Sequence, residues 1–162
     1  MPDMTLAGFI GFIGGAAARM EHGTHTALEH AARIVEREAK AEVGTYQDAA
    51  GPFAAWAPLA EATQADRVAK GFSPNDPLLR TGALRDSIGH KVEGHEAVVG
   101  SPLDIAVYQE LGTNGGGWGG PIPPRSFLGG AAVRKAPEVA HVIGHGLVQA
   151  LVGPGVKVRI EG

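Results

Sequence analysis

Between Glu21 and Val43 the apolar residues Leu28, Ala31, Ala32, Val35, Ala39 and Val43 recur at short, regular intervals. Steps of three and four place them on one stripe, which predicts a helix that Gly44 ends. Glu29, Arg33, Glu36, Arg37 and Lys40 occupy most of the remaining surface. Exposed pairs such as Glu36–Lys40 add only about 0.3–0.5 kcal/mol each, so burial of the stripe must hold this helix. Ahead of it runs the uncharged stretch TLAGFIGFIGGAAA, 14 residues long. A membrane-spanning helix needs roughly 20 apolar residues. An export signal places Lys or Arg in front, where this chain has only Asp3. Residues 1–20 are therefore expected to pack in the core of the fold or in an oligomer contact.

The periodicity weakens over 45–77. GPFAAWAP is a proline-bounded connector carrying Phe53 and Trp56. Pro58 suits the first position of a helix that runs to about Lys70 and closes at Gly71. GFSPNDP then reads as a loop, and the whole stretch is a candidate mobile arm. Beyond Leu78 the pattern sharpens. Thr81 is placed to accept a backbone N–H at a short turn in LLRTGALRDSI. SIGHKVEGHEAVVG alternates, with Ile88, His90 and Val92 on one face, and Gly94-His95 puts glycine first, as a type II′ turn prefers. This predicts a hairpin over Ser87–Gly100.

SPLDIAVYQELG reads as a short helix with Ser101 as N-cap, Pro102 first, and Leu103, Val107 and Leu111 on its buried edge. Glu110 near its C-terminus opposes the helix dipole by about 0.3–1 kcal/mol. It is either an exposed, screened carboxylate or a partner for a basic group elsewhere. IPPRSFLGGAAVRK starts extended and turns helical near Ser126, and Pro137 opens or kinks a further helix. That helix carries Val139, Val142, Ile143, Leu147 and Leu151 on one face and stops at Gly153. Gly144 and Gly146 inside it cost about 1 kcal/mol each relative to Ala, which close approach of another backbone would explain. GVKVRIE alternates as a half-exposed strand. Together these elements predict one α+β domain of 162 residues, with a small antiparallel sheet packed on a long N-terminal helix and a C-terminal helix.

Composition narrows the chemistry. With 14 basic against 17 acidic residues, the chain lacks the cationic excess of a nonspecific nucleic-acid binder. The absence of cysteine excludes disulfides, cysteine-zinc sites and thiol nucleophiles. The glycine-rich stretch 112–123 has no Lys-Ser/Thr after its last glycine, follows a helix and enters a proline run, so neither a P-loop nor a dinucleotide fingerprint fits. His22, His25 and Glu29 could share a helix face, and His141 and His145 lie one turn apart, but no HExxH frame accompanies them. Ser73, Ser87, Ser101 and Ser126 all sit at caps, turns or strand starts, outside any nucleophile elbow. The expectation is a non-enzyme without metal, cofactor or membrane contact, in which Trp118 anchors the glycine loop on a partner or packs back on its own domain.

The order WAPLAEATQADRVAKGF, LLRTGALRDSI, AVVGSPLDIAVYQELGT and IPPRSFLGGAA resembles the tail-completion and virion-morphogenesis proteins of tailed bacteriophages. These are minor tail components of the lambda-like type and the Mu G-protein type. The resemblance spans about Trp56–Ala132 and rests on motif order more than on any single motif. It implies a structural protein of the head–tail joint, without catalysis, in a homo-oligomeric ring that is often of six copies. Its partners would be connector, neck and tail proteins, its place the virion, and its contact with genomic DNA passive. Tyr108, Glu110, Thr113, Arg125 and Phe127, carried over by position, join Trp118, the aromatic anchor of the glycine loop, as candidate interface residues. Most of the motif residues are expected to be structural, with Arg125 pairing with Glu110 or with a neighbouring subunit. This chain has Arg125-Ser126-Phe127-Leu128 where the family pattern reads Arg-Pro-Phe-Leu, its segment from Gly112-Thr113 to Pro123 is too rich in glycine to borrow a conformation, and the family pattern does not explain the apolar N-terminus. Two other readings of the residues are a metal-dependent hydrolase using His22, His25 and Glu29, and a small adaptor that binds peptides by strand addition.

Overall fold

The computed structural model of the chain describes residues 5–115 and 120–153. Trp118 and the expected C-terminal strand lie outside them. In chain order the elements are α1 (Leu6–Glu42), α2 (Glu61–Ala69), α3 (Ala83–Ser87), β1 (Gly89–Glu93), β2 (Glu96–Gly100), α4 (Asp104–Leu111) and α5 (Phe127–Val152). The fold is α+β, with two long helices packed on each other and a two-stranded antiparallel sheet against α1.

The apolar N-terminal run and the amphipathic stretch after it form one unbroken 37-residue helix. The hydroxyl of Thr5 caps it by accepting the Gly8 N–H at 3.1 Å. Gly44 ends it with φ of +103°, and its N–H bonds the Pro77 carbonyl at 2.8 Å. Ala31, Ala32, Ala39 and Val43 of the expected stripe are buried, while Leu28 and Val35 are half-buried. The first half differs, since every residue from 5 to 14 is exposed. Packing of this run in the core, one of its two expected fates, is therefore overturned.

α5 is also a single helix, running through Pro137 rather than restarting there. α1 and α5 cross where Gly23 lies against Ala150 and Gly146 against Ala27. A Cβ added at either glycine would stand 2.4 Å and 2.8 Å from those methyls. Gly146 thus has the close helix–helix approach expected of it, whereas Gly144 faces open space.

The core joins Ala39 of α1 and Val43 just past its end with Trp56, Leu84, Ile88, Ala106, Phe127 and Ala131. The stretch 45–77 enters it instead of standing off as a mobile arm. Trp56 is buried, the Trp56 N–H bonds the Gln47 carbonyl at 2.9 Å, and the Tyr46 hydroxyl accepts the Leu59 N–H at 3.0 Å. Buried Arg67 donates to the carbonyls of Ser73 and Leu79. Those bonds hold Leu78 between them at φ of +63°, a left-handed conformation that costs a non-glycine residue about 1–2 kcal/mol. α2 begins at Glu61, later than Pro58, because the Pro58 carbonyl is taken by Arg125 and the Leu59 N–H by Tyr46.

The hairpin has the expected turn. Glu93 pairs with Glu96, leaving Gly94-His95 as the two-residue loop, with positive φ at Gly94 alone. α4 stops at Gly112 as expected but departs from expectation at its start and in its buried face. Its N-cap is Leu103, because the Ser101 hydroxyl is shared with Ser87 and accepts the Leu103 N–H at 3.2 Å. It buries Ala106, leaving Val107 and Leu111, expected on its inner edge, exposed.

Candidate functional site

The residues that carry the four motifs meet in space. Arg125 is buried, and its guanidinium donates to the Ala57 carbonyl at 2.9 and 3.2 Å and to the Pro58 carbonyl at 3.3 Å. Burial holds its pKa below the usual arginine range. Its backbone N–H bonds the Gln109 carbonyl at 2.6 Å. Arg125 thus ties the WAPL stretch to the end of α4, and the expected Arg125–Glu110 pair does not form.

Glu110 caps α5 instead. Its two carboxylate oxygens accept the N–H groups of Leu128 and Gly129 at 2.9 Å each, and its carbonyl accepts the Ser126 hydroxyl at 3.0 Å. A carboxylate that opposes the dipole of its own helix is here placed at the positive end of the next one, which offsets the cost. Phe127, at 0% exposure, fills the core, and the Phe53 ring lies so close to Gly129 that no side chain fits there. Thr113 and Ile122 pinch the base of the glycine loop through paired backbone bonds of 2.9 and 3.2 Å. Of the six expected interface residues, Tyr108 is on the surface of this chain. Glu110, Arg125 and Phe127 work inside it, and Thr113 closes the loop.

Two apolar surfaces remain without partners among the described residues. On α4, Ile105, Val107, Tyr108 and Leu111 are all exposed. On α1, Leu6, Phe9, Ile10, Phe12 and Ile13 are each at least half exposed, on a helix without a charged residue between Thr5 and Ala18. Single exposed apolar residues are ordinary, but clusters of this kind mark interaction sites. No helix among the described residues is long and apolar enough to cross a membrane.

The histidines take different places. Glu29, grouped by sequence with His22 and His25, bonds Nε2 of His90 at 3.1 Å and the Arg33 guanidinium at 2.8 Å. Nδ1 of His90 meets Glu36, which also holds Lys40. The bonds to Glu36 and then Glu29 raise the His90 pKa above its usual value, while Lys40 and then His90 hold Glu36 low, and His90 and then Arg33 hold Glu29 low. This cluster fastens β1 to α1. The inward position of His90 and the seven-residue spacing of Glu29 and Glu36 were the sequence signals for it. His141 and His145 stack with ring centroids 6.3 Å apart. Among the described residues no group of three His, Asp or Glu is arranged to hold a metal ion.

Sequence reasoning also missed Glu42, which is 2% exposed and paired with Arg134 at 2.6 Å. One carboxylate oxygen has no partner, and burial raises its pKa to about 7 against the opposing pull of Arg134. Comparison of the chain with protein-family models, with curated proteins and with solved structures finds no match.

Proposed function

We propose that this chain is a structural protein of the phage head–tail joint, acting in an oligomeric ring that completes the tail or joins it to the connector. The observation that carries the reading is the interlocking of the four motifs. Residues as far apart in sequence as Ala57 and Arg125, or Glu110 and Gly129, form one hydrogen-bonded unit around Trp56 and Phe127. Such a unit explains the motif order by mutual support and asks for no catalytic role. The exposed faces of α1 and α4 supply the apolar surface that an assembling subunit needs. The base of the glycine loop, closed by Thr113 and Ile122, follows directly on α4.

The test is electron microscopy, with mass spectrometry, of particles made by the phage that carries this chain. The expected result is density for the protein at the neck and tails that fail to join heads when it is removed. A protein missing from both the neck and its assembly intermediates contradicts the reading.

A further inference from the structure

We infer that the N-terminal helical arm of one copy docks in the groove between α1 and α5 of a second copy. This deepens the assembly reading above and rests on it.

The groove has a volume of about 660 Å³ and a surface that is mostly carbon, with Arg19 and four histidines among its lining residues. Its floor is the Gly23–Ala150 and Gly146–Ala27 crossing, where small residues let the two helices nearly touch. Its walls are rows of one-turn spacing, with His22, Thr26 and His30 on α1 and Val142, His145 and Gln149 on α5. No carboxylate and no lysine lines it among the described residues. A floor of small residues between two raised rows is the shape that accepts a third helix.

The arm has the matching pattern. Leu6, Phe9, Ile10 and Ile13 recur at the i, i+3, i+4, i+7 positions by which an amphipathic helix enters an apolar groove. At 1.5 Å per residue this stripe is about 10 Å long, and the row from His22 to His30 is about 12 Å. The arm is uncharged from Thr5 to Ala18, so it carries no ion of its own into the groove, where Arg19 already donates from Nε to the Ala150 carbonyl at 3.4 Å.

The arm cannot fill the groove of its own chain. Residues 6–18 continue the helix that forms one wall, and they would reach that groove only by breaking α1. A helix lying on a membrane surface would carry Lys or Arg on its polar face, and this segment has none. A second copy offers the complementary groove in equal number. Such a contact joins different surfaces of the two copies, which is the kind that builds closed rings.

Cysteine pairing tests this directly, because the natural chain has no cysteine. Ile10→Cys and Thr26→Cys, both exposed in the subunit, are purified separately, mixed and oxidised. The expected product is a disulfide between the two variants, and the double variant gives a ladder of linked chains. In parallel, Phe9→Asp with Ile13→Asp abolishes the ladder while helical content is retained. Three results overturn the inference: no cross-link, Ile10→Cys linking only to itself, or a ladder that persists with both aspartates in place. None of these bears on presence in the neck, which particle microscopy reads separately.

Discussion

The two halves of α1 share one backbone and little else. From Arg19 onward the helix buries small apolar residues against α5 and the hairpin, and ion pairs such as Arg33–Glu29 and Lys40–Glu36 border its contact with β1. Before Arg19 it has large apolar side chains, no charge and no partner among the described residues. An isolated helix this short is marginal in water. The first half therefore borrows its order from the second, which is anchored in the core. The difference separates residues that hold this subunit together from residues available to hold subunits to one another.

Substitutions break that comparison most sharply in the anchored half and the core it meets. Phe127→Ala, at a position with no solvent contact, is expected to lose about 3–5 kcal/mol in denaturant unfolding. Arg134→Ala strands the buried Glu42 carboxylate and is expected to cost a similar amount, about 3–5 kcal/mol. Gly146→Val pushes a branched side chain into Ala27 and should cost about 1–3 kcal/mol, read from the same unfolding curves. Glu110→Ala removes the cap of α5 and should cost about 0.5–2 kcal/mol, with faster hydrogen exchange at Leu128 and Gly129. At the other extreme, Phe12→Ser on the arm should change the stability of the isolated subunit by less than about 0.5 kcal/mol.

Acidity sharpens the same contrast, because the groups it moves lie in the anchored half. The folded pKa of His90 is raised, so its contribution is full below the ordinary histidine value of 6.5 and is lost as pH rises through the folded value. Glu42 is raised from 4.5 to about 7, so its contribution is likewise full below 4.5 and lost as pH climbs past 7. Glu29 and Glu36 are lowered, and what they contribute is lost in acid below 4.5. The melting temperature should therefore peak in the mildly acidic range and fall toward pH 8. Glu42→Gln should flatten that fall, and an unchanged slope would remove Glu42 from the account.

Much of the fold was legible because it depends on local rules. Gly44, Gly71 and Gly94 adopt the left-handed conformations their positions implied, and the hairpin register follows from its two-residue turn. The α1 stripe was legible as far back as Leu28, where apolar and charged residues alternate. It was not legible before Arg19, since an uncharged run does not tell whether its apolar stripe meets its own core or another chain. α4 failed for a related reason. Ile105, Val107 and Leu111 leave little polar contrast, so periodicity could not tell that Ala106 points inward. The roles of Arg125 and Glu110 depend on backbone groups distant in sequence, and carbonyls and amides leave no mark in a sequence. The motif order singled out both residues without saying that they serve the interior.

The central claim is that the first half of α1 is a surface for other copies. Sedimentation of the full chain beside its Phe9→Asp/Ile13→Asp variant tests it most directly. The account predicts an assembled wild type and a variant that sediments as a single subunit with the same helical content. A variant that assembles as well as the wild type would contradict it.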